Sequence, residues 1–329
     1  DPLWSRGLGD VYKRQWFYIV SGAGACTLVL GAYCAMFQND LKGLLAYSTI
    51  SHLGLITLLL GLNSPLAAVA AVFHILNHAT FKASLFMAAG IIDHESGSRD
   101  IRKLNGLIKL MPYTATLAMV ASASMAGVPL LNGFLSKEMF FAETVFINSS
   151  AWVEIALPVI ATIAGTFSVA YALRFTVDVF FGEPATDLPH TPHEPPRWMR
   201  APVELLVFTC LLVGIFPAQI IGPLLAAAAL PVVGGTLPEY SLAIWHGLNA
   251  PMIMSLIAMS CGIVLYLLLH KPLVAGRFAY PPGVGRLNGK LLFERSLVGM
   301  TRLARRLERR LSTKRLQTCL LYTSDAADE

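Results

Sequence analysis

Six stretches of this sequence contain no Lys, Arg, Asp or Glu: residues 15–39, 43–81, 110–136, 155–173, 205–238 and 240–270. A helix needs about 20 predominantly apolar residues to cross the hydrocarbon core of a bilayer. Each run is therefore close to one span in length or longer, and the longest has room for two. Charged residues make up only 14% of the 329 residues, against roughly a quarter in soluble domains, so a water-facing surface could not be covered. A soluble enzyme, a secreted disulfide scaffold and a disordered chain are excluded. The predicted fold class is all-α: a polytopic bundle of about eight transmembrane helices, one of them discontinuous.

Turn signals place the helices near 16–38, 43–62, 65–92, 112–127, 131–149, 152–181, 201–227 and 247–270. The segment opening with Gly127, Pro129, Asn132 and Gly133 reaches Lys137 and Glu138 within two turns. Pro and Gly release backbone hydrogen bonds that lipid cannot satisfy, so such a break belongs inside protein or beside a watery cavity. The alternative is a short interfacial helix with Lys137 at the headgroups.

Charge is unevenly placed. Residues 271–316 hold 12 Lys or Arg against 2 Glu, a net +10, and the rest of the chain sums to −5. Within that segment Phe293, Leu297, Met300, Leu303, Leu307 and Leu311 recur every three or four residues, with Arg302, Arg305, Arg306, Arg309 and Arg310 between them. This pattern predicts an amphipathic helix lying along a membrane or a bundle, not a nucleic-acid arm. The five cysteines form no CxxC pair, and four lie in apolar runs, where Cys packs as a small hydrophobe. No nucleotide-binding loop, haem motif or metal-ligand spacing is present, so no cofactor or metal is expected and any redox or ATP chemistry would belong to partners. Residues 1–15 (DPLWSRGLGDVYKRQ) and 319–329 (CLLYTSDAADE) match neither the apolar texture nor the basic helix beside them. They read as non-native flanks of an internal piece of a longer protein.

The ionisable residues inside the apolar runs carry the functional signal, because each costs about 2.5–3.5 kcal/mol at mid-bilayer on insertion scales. His74, His78 and Lys82 are spaced by four, so each lies about 40° from the last, on one stripe rising about 12 Å. Two imidazoles and an amine in file suit proton transfer through ordered water. The competing reading makes the histidines packing donors and lets Lys82 snorkel. A zinc site would need Cys or carboxylate ligands that this stretch lacks nearby. Lys42 opens the second helix after Asp40, either as an interfacial pair with it or as part of a polar axis. His52, with Ser48, Thr49 and Ser51, makes one side of that helix polar. Lys137 and Glu138 form another charged pair, and Arg174 and Asp178 read as a structural or interfacial pair.

The runs DLKGLLAYSTISHLG, VFHILNHATFKASLFMAAGIIDHESGSRDIRKLNGL and SMAGVPLLNGFLSKEMF resemble the proton-translocating membrane module shared by antiporter-like subunits of respiratory complex I and Mrp-type cation/proton antiporters. GIIDHESGSRDIRKLNGL, FLSKE and LPEYSLAIWHGLN are more similar to the large A-type component of the Mrp antiporter. The resemblance covers about residues 16–317. It implies that residues 16–270 are the C-terminal half of the module and that 271–318 hold a loop and the start of its lateral helix. By position it implies that Lys82 is the central-helix lysine, with His74 and His78 its connecting histidines. Lys137 matches the lysine of the second broken helix, and Lys42 the lysine after the Asp, here Asp40, of the family's D-[IL]-K motif. It assigns no role to His52. The implied function is Na⁺ or K⁺/H⁺ antiport in a multisubunit complex of the inner (plasma) membrane, without catalysis. The implied partners are other antiporter subunits, lipid and the transported ions, and no nucleic acid. The alternative is a proton-pumping subunit of an NADH–quinone or hydrogenase-type oxidoreductase.

Overall fold

A computed structural model describes residues 14–147, 149–245, 247–278, 281–284 and 289–311. Most of the two flanking stretches singled out above therefore lies outside the described residues. The chain divides into two units, 1–281 and 282–329. In the first, a π-helical turn (Phe17–Ser21) leads into α1 (Gly22–Met36), followed by α2 (Leu41–Gly61), α3 (Pro65–Ser96), α4 (Pro112–Ala126), α5 (Asn132–Val145), α6 (Ala151–Phe180), α7 (Arg197–Ile215), α8 (Gly222–Val233) and α9 (Ala250–Val274). The second unit contains α10 (Gly289–Leu311). Among the described residues there is no strand; Asp40 and Asp100 form an isolated antiparallel bridge.

Among the described residues, six helices are long and apolar enough to cross a membrane: Arg14–Met36, α2, α3, α6, α7 and α9. The helices α4 and α5, with 15 and 14 residues, are each only about 22 Å long. They meet at the break expected around Gly127–Gly133, so the eight expected crossings resolve into six full-length spans plus this broken pair. Side chains on the outer surface are apolar, as a lipid-facing surface requires: Ile155, Phe208, Leu267 and Leu268 are all more than half exposed.

Local chemistry sets the boundaries. Asp40 accepts from Gly43 N at 2.6 Å, Ser64 from Ala67 N at 3.2 Å and Asn249 from Met252 N at 2.9 Å, each capping a helix start. Pro65 and Pro112 sit in the first turn, where a missing N–H costs nothing. Gly97 and Gly127 end α3 and α4 in the left-handed region, at φ 69° and 89°. The hairpin of α1 and α2 is drawn tight by small residues. A Cβ on Gly54 would lie 2.3 Å from Leu28 N, and one on Gly24 2.4 Å from Leu58 N.

The single span expected over 201–227 is not continuous. Its helix starts at Arg197, ends at Ile215, and is followed by a one-turn piece (Pro217–Ile220) and then α8. The cause is Pro217 and Pro223, which lack N–H groups and whose rings clash with the carbonyls four residues back. In an apolar run both read as interior residues, yet each opens a new helix.

The amphipathic expectation for 293–311 is met by α10, which exposes Leu292, Phe293, Met300 and Leu303 along its length.

Candidate functional site

The interior of the bundle is polar where α2, α3, α5 and α6 meet. His52, His74, Lys82, Lys137, Ser136, Ser168 and Tyr171 are all buried there. The break between α4 and α5 positions Lys137. Gly127 ends α4 and leaves its last carbonyls without intrahelical donors. Lys137 Nζ donates to two of them, Met125 O at 2.7 Å and Ala126 O at 3.0 Å, and to Ser168 Oγ at 2.8 Å. A cation at a helix C-terminus also meets the negative end of the helix dipole. Asn132 and Gly133 seal the junction: Asn132 Oδ1 accepts from Ser124 Oγ at 2.5 Å, and Ser124 Oγ accepts from Gly133 N at 3.1 Å.

From Lys137 on α5 a chain of hydrogen bonds runs through α6, α2 and α3 and back to α5. The Tyr171 hydroxyl lies 3.1 Å from Ser168 Oγ and 3.4 Å from His52 Nε2, and a hydroxyl proton rotates between two such partners. His52 Nδ1 is 2.9 Å from His74 Nε2, and His74 Nδ1 is 3.0 Å from Ser136 Oγ. Ser136 Oγ also donates to Gly133 O at 3.3 Å, so it accepts from His74 Nδ1–H. That leaves His74 Nε2 as acceptor and His52 Nδ1–H as donor in the neutral pair. Lys82 enters from the side. Its Nζ donates to Ser48 Oγ, to Leu45 O at 3.3 Å and to Met125 Sδ at 3.3 Å. Met125 thus touches both lysines, one through its carbonyl and one through its thioether. The contacts of Lys82 and Lys137 named here are all to neutral atoms. A cavity of about 20 Å³ borders His52, Lys137, Ser168 and Tyr171, room for about one water.

Of the residues singled out from sequence, His74, Lys82 and Lys137 come together here. His78 stands beside them, its ring 5.1 Å from that of His52 and 6.1 Å from that of His74. Its Nε2 has no hydrogen-bond partner among the described residues, so it is a neighbour of the chain rather than a link in it. Glu138 is buried and lines a separate cavity of about 260 Å³ with Glu143 and Glu239. Lys42 does not pair with Asp40. It binds Asp93 Oδ2 at 2.7 Å at the end of α3, while Asp40 is held by its capping bond and by Arg99 at 3.4 Å. The geometry explains the difference: Asp40 turns its carboxylate into the first turn of α2, and the close of α3 brings Asp93 over Lys42. Arg174 and Asp178 are buried rather than interfacial, 3.6 Å apart. Among the described residues no group of three or more His, Cys, Asp or Glu is placed to hold a metal ion.

Tyr171, Ser168 and Ser136 carry links that the sequence reading did not single out. One signal was available: Ser168, Tyr171, Arg174 and Asp178 are spaced three, three and four apart in an otherwise apolar helix, the repeat of one helix face.

The chain is similar to known membrane proteins. Residues 7–165 match the family described as NADH:quinone oxidoreductase/Mrp antiporter, transmembrane. The chain is 64% identical over 305 residues to a probable K⁺/H⁺ antiporter A/B subunit of Rhizobium meliloti (strain 1021), covering 92% of this chain and 30% of that protein. It is 42% identical over 286 residues to the large (A-type) Na⁺/H⁺ antiporter subunit of Alkalihalophilus pseudofirmus, covering 79% and 35%. In structure it is similar to a chain of the Mrp complex from Dietzia sp. DQ12-45-1b, with a TM-score of 0.73 and 34% identity over 94% of this chain and 32% of that one. The chain thus spans about a third of the length of the relatives it matches. The chain carries the NADH:quinone oxidoreductase/Mrp antiporter transmembrane domain and is similar over most of its length to A-type subunits of cation/proton antiporters, as a multi-pass membrane protein.

Proposed function

We propose that this chain is the proton-conducting half-channel of a monovalent cation (Na⁺ or K⁺)/H⁺ antiporter subunit. It works in the plasma membrane beside other subunits of the assembly, as a transporter without catalytic chemistry. One observation carries the reading: hydrogen bonds continue from Lys137 through Ser168, Tyr171, His52 and His74 to Ser136, in the interior of the helix bundle. An ionisable group sunk at that depth is a functional site by default, and here several share one interior. The names of the relatives support antiport over redox-driven pumping, the function of the complex I branch of the family.

In this reading Lys82 holds and releases the proton and Lys137 exchanges it with a bulk phase. His74 passes it along with His52, while His78 sits close enough to receive it by way of water. Ser168 turns its hydroxyl from Met125 O to the Tyr171 oxygen; a proton arriving from Lys137 Nζ then displaces one to Tyr171, which passes its own to His52 Nε2. His52 gives up its Nδ1 proton to His74 Nε2, and His74 holds it as an imidazolium whose Nδ1–H stays bonded to Ser136 Oγ. Each transfer moves a proton about 1 Å within an existing hydrogen bond, and the side chains then rotate to reset the chain. Lys42, bound to Asp93, stands one turn before Leu45, whose carbonyl holds Lys82, and extends the path toward that end of α2.

The test is antiport by the full-length subunit in its complex, carrying Lys82→Ala or Lys137→Ala, in everted vesicles. Both variants should leave the complex assembled and abolish cation-driven pH changes. Wild-type pH gradients from either would overturn the reading.

A further inference from the structure

A second buried titratable cluster lies outside the chain described above, on the same helix. On α6 the buried stripe of Ser168 and Tyr171 continues to Arg174 and Asp178. Asp178 is two turns beyond Tyr171, about 10 Å along the axis. Asp178 Oδ1 accepts from Tyr266 OH at 2.6 Å and lies 3.2 Å from His270 Nδ1, which is itself 3.0 Å from Tyr266 OH. Asp178 and Tyr266 are buried, whereas the His270 side chain is 41% exposed. Arg174 faces Asp178 Oδ2 and is fixed from the other side by Met36 O at 2.5 Å and Asn39 Oδ1 at 2.7 Å. Arg174, Asp178 and His270 line a cavity of about 230 Å³ with Arg102 and Asn105, large enough for several waters.

A buried carboxylate in contact with a half-exposed imidazole, both opening on a water-sized cavity, is the arrangement of a proton-exchange station. We propose that Asp178 and His270 form the port through which the bundle exchanges protons with the solution on the membrane face where α2 begins, with Tyr266 holding the pair together. This rests on the proton-conducting function proposed above. His270 takes a proton from water in the cavity. Its Nδ1–H bond then breaks as an O–H bond forms at Asp178 Oδ1, leaving a neutral imidazole and a neutral acid. Arg174 stands on α6 between the port and Tyr171, and its fixed positive charge faces the carboxylate that takes the proton. The groups facing the pair are Arg174 from α6, Tyr266 from α9 and Arg102 from the turn at Ile101–Lys103. The end of α1 contributes only the uncharged Met36 carbonyl and Asn39 amide.

The experiment uses the full-length assembly in vesicles and compares His270→Ala, Tyr266→Phe and Lys137→Ala. His270 is half-exposed, so its removal leaves the fold intact. His270→Ala should slow antiport about a hundredfold, the lower end of what a positioned proton-transfer group supplies. Imidazole in the medium should restore it, because the cavity admits the ring. Tyr266→Phe should move the pH profile without loss of assembly. Antiport by His270→Ala at wild-type rate and pH profile, or slowed but unresponsive to imidazole, overturns the port. If Lys137→Ala abolishes antiport in that same experiment, the proposed function stands without the port; if Lys137→Ala also runs normally, that function fails as well.

Discussion

Replacing Tyr171 with Phe removes one oxygen and almost nothing else. The ring is fully buried between α2 and α6, so Phe keeps its volume and contacts. The lost hydroxyl is the link between His52 Nε2, at 3.4 Å, and Ser168 Oγ, at 3.1 Å. Ser168 retains Lys137 as donor and Met125 O as acceptor, but His52 Nε2 loses its partner. One buried acceptor left unsatisfied costs about 1–3 kcal/mol, a modest part of the 5–15 kcal/mol typical of a folded domain. The protein should therefore fold and assemble, with a slightly lowered melting temperature. Transport should respond far more, because the gap left between His52 and Ser168 is about two hydrogen bonds wide and a proton does not cross it in one step. The assay pairs thermal melting of the purified complex with antiport in vesicles. The expected result is a small loss of Tm and at least a tenfold loss of antiport. Full antiport at a lowered Tm would show that the Tyr171 hydroxyl is packing and not a link.

Three further outcomes follow from the geometry. Gly133→Ala would set a Cβ 1.9 Å from Ser124 O; it should force α4 and α5 apart, cost at least the 1–3 kcal/mol of an overpacked core and lower the melting temperature by several degrees. Lys42→Met breaks a half-exposed ion pair with Asp93 and should change stability by less than about 1 kcal/mol while slowing antiport. Unchanged antiport would remove Lys42 from the path. The Asp100 carboxyl is held below the ordinary carboxylate range by its side-chain hydrogen bonds to Arg102. Its folded pKa lies below the unfolded one, so its contribution is present above the unfolded value and lost as pH falls through the folded one. The protection factors of amides 100–104, referred to the intrinsic exchange rate at each pH, should fall as pH drops below the ordinary carboxylate range, with an effect under about 1 kcal/mol because the pair is partly exposed.

The fold was largely legible because the bilayer allows few solutions: uncharged runs of span length must be helices. Its failures are local and physical. The run at 205–238 contains Pro217 and Pro223, and hydropathy alone does not distinguish a tolerated proline from one that ends a helix. The stripe of His74, His78 and Lys82 follows from spacing within one helix, yet spacing says nothing of what that face meets. Only packing brings His52 of α2 between His74 and Tyr171, and it turns His78 out of the hydrogen-bond chain despite its place in the pattern. The roles of Ser136 and Lys137 show the same limit. They are adjacent in sequence and about 100° apart on α5, one serving His74 and the other the carbonyls at the end of α4.

The central claim is that lysines in this interior exchange their protons during transport. Solid-state ¹⁵N NMR of the Lys82 and Lys137 Nζ atoms, in the lipid-reconstituted full-length complex under an imposed Na⁺ or K⁺ gradient, reads this directly. At least one of the two signals should move between the ammonium and amine positions when the gradient is applied, and Tyr171→Phe should suppress the change. Two signals that stay ammonium while antiport proceeds would contradict the account.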